Sequence, residues 1–204
     1  MKLRLHPILI PFFLTLMITG GLAFYALVFI SLLIHEAGHI LAAKKSGMKV
    51  RCCTIMPYGG ELIIPDRHSY GKRQKVVVAI GGPVATAILL LLSMLFEFPG
   101  NEHFFRIQLV ILLLNLLPIL PLDGGQAISA MLETNERKYK VRTGFLIFSI
   151  SVLTIVILML IPGLPETVLF LALAVFLLFQ NISAFKFRKY EKAYEQLKRK
   201  QLTP

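Results

Sequence analysis

The feature that most limits what this chain can become is a recurrence of apolar runs almost free of charge, at 7–20, 22–43, 76–96, 105–121, 143–161 and 167–185. Each approaches the roughly 20 residues that a helix needs to cross the hydrocarbon core of a bilayer. Lipid offers no partner for a bare backbone N–H or C=O, so such runs fold as helices. The breaks between them are Gly20-Gly21, a long basic loop, Pro99-Gly100-Asn101, Asp123-Gly124-Gly125 and Pro162-Gly163, all of them helix-stopping sequence. The expected fold class is an all-α polytopic membrane protein with about six transmembrane helices. With 56% of 204 residues hydrophobic and 16% charged, an ordinary soluble domain is excluded. The first two runs stay open to a second description, because residues 7–34 carry no charge and fit one long tilted span as well as two short ones.

A net charge of +11 invites a nucleic-acid reading, but the placement of the basic residues argues for a membrane cause. With six spans and an inside N-terminus, every one of the 22 Lys and Arg except Arg106 falls on one side. That bias marks the cytoplasmic side and places both termini there. The short outer loops carry Glu97, Glu102 and Glu166. No small-residue cleavage site follows the basic start Met1 to His6, so the first run is expected to stay as an anchor. Cys52 and Cys53 are neighbours in a basic loop, where a mutual disulfide would be strained. They read as reduced thiols, with metal or redox use as the alternative.

One run contains what lipid should reject: "LLIHEAGHIL", residues 32–41, holds His35, Glu36 and His39 among apolar neighbours. Three such groups within a turn and a half are hard to retain as packing, because each ionisable residue at membrane depth costs about 2.5–3.5 kcal/mol even on lenient scales. The form is H-E-x-x-H. On a helix the spacing of four sets both imidazoles on one face, able to converge on one metal, with the glutamate beside the first in reach of a water there. Zinc suits imidazole ligands and an open coordination position, and a carboxylate next to an activated water can act as general base and then proton donor. Peptide hydrolysis is the expected reaction.

Two histidines need a third protein ligand if a water is to occupy the fourth position. Acidic and imidazole groups are scarce in or near the spans: His6 lies at the N-terminal boundary, and His68 and His103 in loops. Asp123 stands out. It follows "NLLPILPLDGG", residues 115–125, where Pro118 and Pro121 remove backbone donors from the fourth span and Gly124-Gly125 permit a sharp change of direction. Broken helix at membrane depth is tolerated where it lines a cavity. The other reading of Asp123 is a turn-forming Asp-Gly at a helix end.

These residues resemble the two signatures of the site-2 protease family of intramembrane zinc metalloproteases, H-E-x-x-H in one transmembrane helix and a later x-Asp-Gly element, here Pro121-Leu122-Asp123-Gly124. The resemblance implies one zinc ion held by His35, His39 and Asp123, with Glu36 as the catalytic base. It gives Asn115 a place near the active site in contact with substrate, against its other reading as a helix-packing amide. The likeness is greatest to the bacterial sporulation branch, that of stage IV sporulation protein FB, through His6-Pro7, "MPYGGELIIP" at 56–65, "GGP" at 81–83 and "NLLPILPLDGG". That branch implies a membrane-associated pro-sigma factor, pro-sigma-K-like, as substrate. It also implies membrane inhibitors or regulators as partners, the lipid bilayer as setting, no nucleic acid, and the membrane around the forespore as location. Two departures stand out. Gly82-Pro83 is followed by Val-Ala-Thr where the wider family has an Asn, and residues 186–204 form a basic tail where relatives continue into a CBS domain. The expected organisation is an intramembrane metalloprotease domain over 1–185 and that cytoplasmic tail.

Residues 50–65, "VRCCTIMPYGGELIIP", hold β-favouring residues around Tyr58-Gly59-Gly60, which predicts a small membrane-associated β-hairpin. Its edge, with Gly59 and Gly60, would take an extended substrate by β-addition, and Pro121 would meet the same substrate from the broken helix. A plain connecting loop is the other reading. The tail, 185–200, reads as a basic helix with Tyr190, Tyr194 and Leu197 at near-helical spacing, suited to anionic lipid or to solvent. Gly81-Gly82-Pro83 reads as a close helix contact rather than chemistry. Against the protease stands a second function class, a metal-binding membrane protein without proteolysis, either a transporter or a pseudoprotease scaffold. Glu36 separates the two, because a pure metal binder needs no base beside its first ligand.

Overall fold

The computed structural model describes residues 2–7, 9–56, 59–65, 70–96, 100–133 and 138–202. Tyr58, His68, Glu97 and Pro99, all named in the sequence reading, lie outside them. The chain divides into two compact units, Met1–Leu117 and Pro118–Pro204.

The first unit runs β1 (Lys2–Leu5), α1 (Leu9–Thr19), α2 (Leu22–Lys45), β2 (Cys52–Met56), β3 (Gly59–Ile63), α3 (Lys72–Leu95) and α4 (Asn101–Leu116). The hairpin expected from residues 50–65 is present, antiparallel, with Thr54 opposite Glu61. Gly59 and Gly60 do not form its turn. They lie in β3, paired with Met56 and Ile55. The sequence reading missed β1, which pairs in parallel with β2, Arg4 opposite Thr54. Lys2-Leu3-Arg4-Leu5 is an alternating four-residue stretch too short to stand out beside the long runs. Ala43, Met48, Ile64 and Val78 form a buried cluster that ties the end of α2, the sheet and the start of α3 together. Gln74 reinforces that tie: its Oε1 accepts from the Gly71 N–H at 3.0 Å, and its Nε2 donates to the Ser46 carbonyl at 2.7 Å.

The second unit holds α5 (Asp123–Leu132), α6 (Lys138–Leu160), a single 3-10 turn at Ile161–Gly163, and α7 (Val168–Leu202). Its core is Ile119, Leu153, Ala174 and Leu177, with Ile119 coming from the irregular stretch before α5. The helix α7 carries the basic tail as part of one continuous 35-residue helix.

Among the described residues four helices, not six, are long and apolar enough to cross a membrane: Leu22–Lys45, Lys72–Leu95, Lys140–Gly163 and Phe170–Arg188. They coincide with four of the six expected spans, and the chain is an integral membrane protein. The other two fall short for a geometrical reason. At about 1.5 Å per residue, the 11 residues of α1 and the 16 of α4 extend about 16 and 24 Å, against a hydrocarbon core of about 30 Å. The expected run 105–121 is also cut early. Leu117, just before Pro118, adopts an extended backbone (φ −58°, ψ 138°), as the residue ahead of a proline must to avoid the ring.

Candidate metal centre

His35 and His39 lie one turn apart on α2, 3% and 8% exposed. Their rings stand almost perpendicular, at 79°, and the two Nε2 atoms face each other at 3.2 Å. Two like nitrogens at that separation share one task, either a proton between them or a common ion. The contacts at the opposite ring nitrogens bear on which of the two it is. His39 Nδ1 lies 2.7 Å from the Val78 carbonyl, which only accepts, so this nitrogen carries the proton and Nε2 presents a lone pair. The Gly82 N–H is also 3.2 Å from His39 Nδ1, a longer contact between two donors that the 2.7 Å bond overrides. His35 Nδ1 lies 2.8 Å from the Thr86 hydroxyl, which is itself fully buried.

The helix α3 makes room for this pair. A Cβ added at Gly82 would stand 2.3 Å from His39 Nε2 and 2.4 Å from His35 Nε2, so the imidazoles sit where a side chain would otherwise be. Next to His39 on α2, a Cβ at Gly38 would meet the Gly81 carbonyl oxygen of α3 at 2.3 Å. The "GGP" stretch is thus the close helix contact that was expected, and Gly82 has a further part in shaping the histidine site.

Glu36 is half-buried, next to His35 on the same helix. Its charge reaches strand β2: the Cys53 thiol is pushed above its usual pKa first by burial, then by the Glu36 carboxylate and by Cys52. Both cysteines are free and buried, in line with reduced thiols.

In the second unit Asp123 opens α5 rather than a turn, with Leu122 extended just before it (φ −61°, ψ 158°). A carboxylate in the first helical turn is favoured by the exposed N–H groups there. Gly124 and Gly125 do not supply left-handed backbone, since among the described residues the positive-φ glycines are Gly20, Gly47 and Gly100. Gly125 serves close approach instead, because a Cβ on it would stand 2.4 Å from the Ile119 carbonyl carbon. The backbone ahead of Asp123 is held at both peptide groups of one residue, Leu120. The Leu120 N–H donates to the Ser149 hydroxyl at 3.1 Å, and the Leu120 carbonyl accepts from Asn181 Nδ2. Gln126 Nε2 donates to the Pro121 carbonyl at 2.6 Å.

His35 and His39 in the first unit and Asp123 in the second are each buried. Two neutral imidazoles and one carboxylate form a donor set that fits zinc and leaves a fourth position open. The expected substrate residues are placed differently. Asn115 sits half-buried on α4 and spends its amide on the Ile111 carbonyl of its own helix at 2.9 Å. Pro121 is exposed, and Gly59 and Gly60 are in β3. Sequence reasoning missed Thr86, the Val78 carbonyl, Ser149 and Asn181. Only polar residues recurring in apolar helices pointed to them, and that signal does not say which neighbour each faces.

The resemblance carried by the two motifs is borne out on three counts. Residues 23–101 match the family model of Peptidase family M50. The chain is 31% identical to a zinc metalloprotease of Methanocaldococcus jannaschii over 118 residues, covering 53% of this chain and 34% of that one. It is 30% identical to stage IV sporulation protein FB of Bacillus subtilis over 132 residues, covering 62% and 46%. The solved structure of the site-2 protease from Methanocaldococcus jannaschii superposes with a TM-score of 0.65 at 24% identity, over 90% of each chain, which establishes the shared fold. The chain spans less than half the length of these curated relatives.

Proposed function

We propose that this chain is a zinc metalloendopeptidase of site-2 type, hydrolysing a peptide bond at or near the cytoplasmic face of the membrane. The observation that carries the reading is the pair of buried Nε2 atoms facing each other, with the Val78 carbonyl holding the His39 proton on the far side of its ring. His35, His39 and Asp123 would hold the metal. Bound there, zinc supplies a Lewis acid that polarises the scissile carbonyl and makes water a nucleophile at neutral pH.

The chain's own residues do the rest. Glu36, next to the first ligand and only half-buried, takes a proton from the attacking water and delivers it to the leaving amine nitrogen. The bond from water oxygen to carbonyl carbon forms, the C–N bond breaks, and the carboxylate is regenerated. The free side of β3 and the bent segment around Pro121 would hold the substrate extended, which a helical substrate requires because its carbonyls are already bonded. Asn115 and the Gly59-Gly60 backbone are the further contacts in this reading. A metal transporter or scaffold has no use for a base at position 36.

For the substrate we infer a membrane-associated sporulation pro-sigma factor. The sporulation-branch motifs and the identity to stage IV sporulation protein FB support it. Membrane regulators, a forespore-surrounding membrane and cytoplasmic termini follow from the same resemblance and from the basic residues. The test is co-expression with a pro-sigma-K-like protein, scored by a shift on a gel. Glu36→Gln should retain zinc and lower cleavage by about 10²–10⁴-fold, and Asp123→Ala should lose zinc as well. Persistent cleavage by the Glu36 variant would reject the mechanism, and unchanged zinc in the Asp123 variant would remove that residue from the ligand set.

A further inference from the structure

We propose that Thr86 is a positioning residue for the metal centre. Its hydroxyl accepts from His35 Nδ1 and so turns His35 Nε2, unprotonated, toward the ion. The inference deepens the zinc reading and rests on it.

Three residues at helical spacing on α3, Val78, Gly82 and Thr86, each touch the histidine pair. Residues four apart share a helix face, so they act as one rail along which the imidazoles lie. Each has a distinct part. Val78 gives a main-chain carbonyl to His39, Gly82 gives the absence of a Cβ, and Thr86 gives a side-chain oxygen to His35. The first two depend on the backbone and cannot be altered without moving the helix. Thr86 is the one polar side chain of the three. It is fully buried in a helix that otherwise crosses lipid, where a hydroxyl costs free energy unless bonded.

A threonine oxygen can accept or donate, so its bond alone does not fix the His35 tautomer. Metal binding does. His39 Nε2 is unprotonated because its proton sits on Nδ1 against Val78, and an ion shared by the two facing rings requires His35 Nε2 to be unprotonated as well. With Thr86 accepting from His35 Nδ1, both lone pairs face the ion and the threonine's own proton is free to bond a carbonyl of its helix. With Thr86 donating instead, the His35 proton would sit on Nε2 and block the ion. Removing the hydroxyl therefore frees the ring to rotate and to exchange tautomers, which weakens metal binding without touching a ligand.

The experiment uses the full chain purified in detergent and loaded with zinc, with metal retention measured against a graded chelator. Thr86→Val, Thr86→Ala, Thr86→Ser and His35→Ala are compared with the parent. Loss of such an outer hydrogen bond lowers apparent zinc affinity by about 10–100-fold, the expected result for Thr86→Val and Thr86→Ala. Thr86→Ser should restore retention. The melting temperatures of the zinc-loaded Val and Ala variants should fall further than those of the zinc-free forms, whereas a merely structural threonine would lower both alike. Retention unchanged in both Val and Ala variants, or lost in Ser, overturns the role of the hydroxyl. If Thr86→Val does not fold, the Ala and Ser pair makes the same comparison. A parent that retains no more zinc than His35→Ala overturns the metal reading itself.

Discussion

The histidines and the aspartate are prepared in opposite ways. His35 and His39 stand on a regular helix, where 3.6 residues per turn sets their spacing and a neighbouring helix at close contact aims their rings. Asp123 follows a stretch with no regular structure, and the backbone before it is held by two side chains from distant parts of its own unit, Ser149 on α6 and Asn181 on α7. Periodicity places the histidines; side-chain bonds to the backbone of one residue, Leu120, precede the aspartate. The proposed metal site would therefore be sensitive to an added atom in one region and to a lost bond in the other.

The largest effect should come from the crowded side. Gly82→Ala would drive a methyl group into both Nε2 atoms, so zinc content should fall to background, with about 1–3 kcal/mol lost from overpacking and read as a lower unfolding temperature. Zinc retained at the parent's level would show that the rings have other room and would remove α3 from the account of the histidines. A middle effect is expected on the clamped side. Asn181→Leu leaves the half-buried Leu120 carbonyl without this donor, a loss of about 1 kcal/mol, and zinc retention should weaken while the histidine half stays intact. An unfolding temperature equal to the parent's would mean that the segment before Asp123 is fixed by its prolines and packing alone.

The smallest effect concerns Cys53. Its pKa is raised by burial and by the Glu36 charge, so less thiolate is present at any given pH than for an ordinary thiol. In a Cys52→Ser background, alkylation of Cys53 should accelerate only at higher pH than in a free thiol. Glu36→Gln removes one of the charges that disfavour the thiolate, and the rate profile should move to lower pH. A profile that does not move would place the carboxylate too far from the strand to act on it, and would weaken its reading as a base exposed beside the sheet.

Much of the helical scaffold was legible because lipid imposes a strong and simple rule on composition. The spans around 22–43, 76–96, 143–161 and 167–185 met their expected places, and the hairpin at 50–65 formed. The count of six did not carry over. Hydropathy registers apolar character, while the length of a helix depends on where prolines and glycines end it, and α1 and α4 end early. β1 was missed because four residues give too little periodicity against such a background. The start of α5 at Asp123 was not legible, since Asp-Gly-Gly reads as a break between spans and has the composition of a turn.

By itself the sequence determined that this chain lives in a membrane, that a His-Glu-His set sits on one helix face, and that an aspartate follows a helix broken by prolines. Those follow from local chemistry: hydrocarbon solvent, the helical repeat and the missing proline N–H. Only the tertiary structure decided which groups lie behind the imidazoles, that Gly82 is the space they occupy, and that Ser149 and Asn181 hold the Leu120 backbone. These are contacts between residues from 29 to 61 positions apart in the chain. No local pattern encodes them, because a hydroxyl or amide in an apolar helix has the same spacing whichever neighbour it faces, and packing alone selects the one it bonds.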